Sequence, residues 1–117
     1  MNDKYTCKGL TLRIEELEKQ IAVFWEGRST ERDPSLFLTP IFNELLNKNK
    51  KIILNFKSLE FMNSSTITPL LKVMDRLKNS SGEILIIYAD DLKWQKLSFS
   101  ALEIFKTKDH RIDIVGE

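Results

Sequence analysis

Residues 51–71 read KIILNFKSLEFMNSSTITPLL, and the fold turns on how this stretch is parsed. Lys51 to Phe56 is short, apolar and β-branched, which predicts a strand. The polar Lys57 and Ser58 lead to a second strand-like segment, Leu59 to Met62. Asn63, Ser64 and Ser65 follow at the start of a helix, where side-chain oxygens accept backbone N–H groups that lack an intrahelical partner. From there Ile67, Leu70, Leu71, Met74 and Leu77 recur at helical spacing, and Lys72, Asp75 and Arg76 fall on the outward side. The stretch is therefore strand, polar turn, helix.

Working outward, residues 10–14 (LTLRI) alternate apolar and polar, as in a half-buried strand. Residues 21–25 (IAVFW) are apolar throughout, which suits a strand covered on both faces. The two read as a hairpin, and Gly27 to Asp33 as a loop. A helix then carries Phe37, Leu38, Ile41, Phe42 and Leu45 on one side. It has two compatible starts, Asp33-Pro34 and Thr39-Pro40. Residues 84–88 (ILIIY) form another buried strand after the turn Asn79–Gly82. Asp90 and Asp91 are placed to cap a third helix whose apolar side is Trp94, Leu97, Ala101 and Phe105. Ser100 and Glu103 have capping-box spacing and mark a break near residues 98–100. Phe99 points away from the apolar side of a continuous helix, which makes it either a contact residue or a packed residue at a break. Residues 112–115 (IDIV) are a last strand. The order β-β-α-β-α-β-α-β predicts an α/β fold in one domain, 1–117, with a mixed sheet, parallel central strands and helices packed on it.

Composition removes several functional classes. Eighteen Lys and Arg against seventeen Asp and Glu leave a formal charge of +1. That gives no electrostatic basis for binding nucleic acid or an anionic membrane. The run Lys48, Lys50, Lys51 reads as a solvated loop. One cysteine, Cys7, permits no intrachain disulfide. No apolar run approaches the roughly 18 residues a membrane span requires, and the first residues lack a signal-peptide core. The expected location is cytoplasmic, without membrane insertion.

Catalysis finds little support. The single histidine, His110, lies in the polar stretch 106–111, far in sequence from Ser64 and Ser65. A serine nucleophile needs an adjacent base. The Gly-x-Ser-x-Gly elbow, the Gly-rich phosphate loop and the dinucleotide fingerprint are all missing. One Cys and one His do not make a zinc site, and capping accounts for Asp90 and Asp91. No catalytic residue, metal ligand or cofactor is expected.

A serine at a helix start has a second use besides capping. The positive end of the helix tolerates a phosphate, which adds about −1.5 to −2 charges at pH 7. On a docking surface that charge must be desolvated or meets a like charge.

The same residues carry a family resemblance. The stretch 51–71 resembles the core motif of STAS domains, a family that includes bacterial anti-sigma factor antagonists. The family pattern is an apolar strand ending in Asp-Leu-Ser, then Phe-Met/Ile-Asp-Ser-Ser-Gly and an apolar helix. Here Asn55-Phe56-Lys57 stands at the first part and Phe61-Met62-Asn63-Ser64-Ser65-Thr66 at the second. The resemblance implies a small α/β sandwich with helices mainly on one face of a mixed sheet. It implies protein–protein recognition in a partner-switching pathway: binding to a serine kinase or anti-sigma factor, release on phosphorylation, and resetting by a phosphatase. Carried over by position, the phosphorylated serine is Ser64, with Ser65 the second candidate. The partner surface would comprise Met62, Asn63, Ser64, Ser65, Thr66, Thr68, Lys72, Asp75 and Arg76, together with the Gly27–Pro34 loop. Ser65 and Thr66 would serve mainly as caps.

Three residues depart from the pattern. Asn63 replaces the usual Asp and removes a charge beside the acceptor. Thr66 replaces the usual Gly, which restricts the backbone. Pro69 falls where the helix should already run, which favours a delayed start with Thr68 as the cap. These departures also suit an alternative: a constitutive, non-phosphorylated STAS scaffold or accessory subunit, for example of a membrane transporter.

Overall fold

A computed structural model describes residues 2–117. Seven strands, three helices and two 3-10 turns follow in the order β1 (Asn2–Cys7), β2 (Leu10–Glu16), β3 (Gln20–Ser29), α1 (Ser35–Asn47), β4 (Lys51–Asn55), β5 (Leu59–Met62), a 3-10 turn (Ser64–Thr66), α2 (Ile67–Lys78), β6 (Ile84–Tyr88), α3 (Lys93–Ser100), a second 3-10 turn (Ala101–Phe105) and β7 (Ile112–Gly116). The strands make one mixed sheet in the spatial order β1-β2-β3-β4-β6-β7, with β5 also paired to β3. β1 to β3 form an antiparallel meander, whereas β3, β4, β6 and β7 run parallel. The predicted α/β architecture is the one observed. The strand Asn2–Cys7 was not read from the sequence; its residues alternate exposed and half-buried at the sheet edge, so it lacks a strong apolar face.

One face of the sheet carries the core. Leu10, Leu12 and Ile14 of β2, Ile21, Val23 and Trp25 of β3, Ile52 and Leu54 of β4, and Ile84, Ile86 and Tyr88 of β6 are all buried. Their neighbours Ala22, Phe24, Ile53, Leu85 and Ile87 are only half-buried on the other face. The apolar runs 21–25 and 84–88 therefore alternate in burial, contrary to the expectation of strands covered on both sides. Helices pack against one face only, and apolar side chains on the other face shelter one another and the stems of polar neighbours. There the Arg13 guanidinium lies 4.4 Å from the centre of the Phe24 ring.

Two helical expectations need correction. In α1 the helix starts at Ser35, close to Asp33-Pro34, and the alternative start at Thr39 is excluded. Pro40 sits inside α1. Both Pro40 and Leu36 are exposed, so the carbonyl that loses its donor there faces water. In α3 the inward side is Gln95 and Phe99, continued by Leu102, whereas Leu97 is 67% exposed. Of the anticipated face, Trp94 and Phe105 pack half-buried against the core while Leu97 and Ala101 are exposed, and the inward direction is shifted by about one residue because a polar Gln95 holds the central position. Its Oε1 accepts from the Ala89 N–H at 2.7 Å, and its Nε2 donates to the carbonyls of Phe56 (2.6 Å) and Leu59 (3.0 Å). Phe99 packs 4.5 Å from Phe56 and 5.9 Å from Tyr88, ring centre to ring centre, so it is a core residue. The caps expected from Asp90, Asp91 and Ser100 are not formed. Leu92 occupies the first cap position without a side-chain bond, and Ser100 is itself helical.

Candidate functional site

β3 is long enough to pair with two strands in succession. Gln20–Phe24 lie against β4, and Gly27–Ser29 against β5. The Gly27–Asp33 segment, expected to be a loop, is thus strand through Ser29. The register shifts between Gly27 and Arg28, where Gly27 has φ of +87°. A Cβ there would collide with the Gly9 carbonyl oxygen, so the close approach of the β1–β2 turn to β3 requires glycine. This geometry brings Met62 opposite Ser29 and delivers Asn63 to the end of β3, where its N–H donates to the Ser29 carbonyl at 3.0 Å.

Asn63 then caps the turn. Its Oδ1 accepts from the Thr66 N–H at 3.2 Å and from the Thr66 hydroxyl at 2.8 Å, while its Nδ2 donates to the Glu31 carbonyl at 2.9 Å. These partners fix which end of the amide is oxygen. The Thr66 hydroxyl has spent its one proton on Asn63. Ser29, 2.7 Å away, therefore donates to the Thr66 oxygen. Ser29 and Thr66 are buried, and the chain Ser29–Thr66–Asn63–Glu31 ties β3, the 3-10 turn and the β3–α1 loop together. A carboxylate at position 63 would keep the acceptor but lose the bond to Glu31. The Asn63 departure is thereby given a structural role.

Ser64 follows the cap. It is exposed, opens the 3-10 turn, and its hydroxyl makes no hydrogen bond among the described residues. Ser65 is half-buried. The cap expected of Ser65 and Thr66 belongs to Asn63, and Thr66 is the recipient. Met62 and Thr66, counted from sequence in the partner surface, are 8% and 0% exposed. They support the turn from below and do not face solvent. Pro69 does not delay the helix: α2 begins at Ile67. Pro69 lies in the first helical turn, where backbone donors have no intrahelical partner and its missing N–H costs little.

Ser64, Thr68, Lys72 and Asp75 are spaced four, four and three residues apart and are all exposed, so they form one outward stripe. Arg76 is exposed but turns toward α1, donating to Asn43 Oδ1. Three exposed apolar residues not singled out from sequence lie toward the same end of the sheet, where β3, β5 and β6 finish. These are Leu36 at the start of α1, Phe61 in β5 and Leu92 before α3, at 80%, 39% and 37% exposure. Arg28 lies 4.8 Å over the Phe61 ring. Within apolar runs such residues give no sequence signal that separates them from core. No cluster of His, Cys, Asp or Glu among the described residues is arranged to hold a metal. No described helix is long and apolar enough to cross a membrane.

The sheet order and the one-sided helical layer define a STAS-like fold, and solved structures share it. An anti-sigma factor antagonist from Mycobacterium paratuberculosis superposes with a TM-score of 0.64 at 13% identity, over 87% of this chain and 90% of that one. The anti-sigma factor antagonist SpoIIAA in its unphosphorylated form gives 0.59 at 19% identity, over 76% and 81%. An uncharacterised protein with a SpoIIAA-like fold from Shewanella loihica gives 0.56 at 15% identity, over 97% and 90%. No protein-family model matches the sequence, and no curated protein matches it. The fold is that of the anti-sigma factor antagonists, as the sequence resemblance implied.

Proposed function

We propose that this chain is a non-catalytic, cytoplasmic regulatory domain that docks a protein partner through the Ser64 end of the sheet and is released when Ser64 is phosphorylated. The observation that carries the reading is Ser64 itself. It is an exposed, unbonded hydroxyl on a turn that Asn63 and Thr66 hold in shape, whereas the neighbouring Ser65 is half-buried. A fold shared with a protein named as an anti-sigma factor antagonist in its unphosphorylated form supports the same reading. The partner class is a serine kinase or anti-sigma factor, with a phosphatase to reset the serine.

The physical mechanism needs no change of fold. The apolar Leu36, Phe61 and Leu92 supply desolvated contact area at the end of the sheet where the polar stripe begins at Ser64 and Thr68. A phosphate on Ser64 places about two negative charges on that surface. A loss of only ~2.7 kcal/mol weakens binding about a hundredfold. Affinity capture from the native host tests the reading, with wild type, Ser64→Ala and Ser64→Asp as baits. A partner held by the first two and lost by the third is expected. Equal capture of one partner by all three removes the switch and leaves a constitutive scaffold.

A further inference from the structure

A wide cleft lies at the opposite end of the sheet, where β3, β4 and β6 begin. It has a volume of about 610 Å³ and is walled by three turns: β2–β3, α1–β4 and α2–β6. Its size falls within the range typical of small-molecule sites. Four cationic residues line it, Lys19, Lys50, Lys51 and Arg76, against one carboxylate, Glu83. In a chain with a net charge of +1, this is a strong local excess.

Part of that charge is already used. Lys50 donates to Glu16 Oε2 at 2.8 Å and to the Leu17 carbonyl at 2.7 Å. The carbonyl end of α2 also draws positive charge, but Arg111 serves it by donating to the carbonyls of Leu77 (2.6 Å) and Gly82 (2.8 Å). Arg76 pairs only with the neutral Asn43. Lys19 and Lys51 form no ion pair with any described residue. Three lining cations thus have no ion-pair partner among the described residues and outnumber the single Glu83 carboxylate of the lining. The turn Ser80–Ser81–Gly82 adds small polar residues, and the Ser81 hydroxyl forms no hydrogen bond among the described residues. Such a lining suits the compact, multiply charged oxygens of phosphate.

We infer that this cleft binds a small phosphorylated molecule carrying at least two negative charges. The site is remote from the Ser64 turn and does not depend on the proposed partner switch. Titration of the full chain with inorganic pyrophosphate, followed by amide NMR, tests it. Saturable shifts are expected at Asn49, Lys50, Ser80, Ser81 and Gly82. The Lys19→Gln/Lys51→Gln double variant should weaken the apparent affinity by about tenfold or more, and Ser81→Glu, which adds a carboxylate, should abolish the response. Succinate at matched ionic strength should bind at least about tenfold more weakly, because it lacks the phosphate oxygens. Non-saturating shifts, an unchanged affinity in the double variant, equal binding of succinate, or shifts centred on Ser64 would each overturn the assignment.

Discussion

At residue 63 a single amide does work that a carboxylate would share only in part. Asn63 joins the turn to itself through Thr66 and to the β3–α1 loop through Glu31. Asn63→Ala removes a cap and leaves the half-buried turn with unpaired groups. The expected loss is ~1–3 kcal/mol of stability, read by urea denaturation. Asn63→Asp should recover the cap but not the Glu31 bond, and so fall between the two. A variant as stable as wild type would show that the observed bonds contribute nothing net. The location of the turn was legible in the sequence, since Asn and Ser before an apolar helix announce a cap. That Asn63 rather than Ser65 would be the cap was not. Three adjacent residues with suitable oxygens compete, and the choice depends on where β3 ends.

Among the elements, α3 is where periodicity misled. Trp94, Leu97 and Ala101 have helical spacing, yet Leu97 and Ala101 are exposed, Trp94 packs only half-buried against the core, and Gln95 and Phe99 face inward. Hydrophobicity cannot identify a buried glutamine, because its position depends on three backbone groups contributed by other segments. Gln95→Leu should therefore destabilise the protein by about 2 kcal/mol or more although it increases hydrophobicity, since the Ala89 N–H and the Leu59 carbonyl lose this partner and the Phe56 carbonyl keeps only the Leu59 N–H. Denaturant midpoints of Gln95→Leu and wild type that coincide would refute this. By contrast, α2 follows its pattern closely: Leu70, Met74 and Leu77 are buried and Ile67 and Leu71 half-buried, Lys72 and Asp75 face outward, and Val73 is buried without having been anticipated. Its amphipathic pattern is set by local spacing alone. The edge strand β1 was missed because its partners, not its own residues, make it a strand.

For the whole molecule, the sheet is closed at its lower end by charge. Glu16 accepts from Lys48 (2.9 Å) and Lys50 (2.8 Å), linking the β2–β3 hairpin to the α1–β4 turn. Hydrogen bonds from Lys50 and then Lys48 hold its carboxyl at about 2, below the ordinary value of 4.5. A carboxyl depressed in the folded state stabilises above its unfolded value, and that contribution is lost as pH falls toward the folded value. Wild type should therefore exceed Glu16→Gln in melting temperature at neutral pH, and the gap should close between pH 4.5 and about 2. A gap independent of pH would assign the effect to packing. Parallel strands with one helical layer were predictable from element order, and the helical layer places the Ser64 turn and the basic cleft at opposite ends of the same strands. The central claim concerns the first of these ends. Peptide mass spectrometry of the protein isolated from its native host tests it most directly. The account predicts a single phosphate on Ser64 that disappears in Ser64→Ala, and modification of another residue, or none under any growth condition, would contradict it.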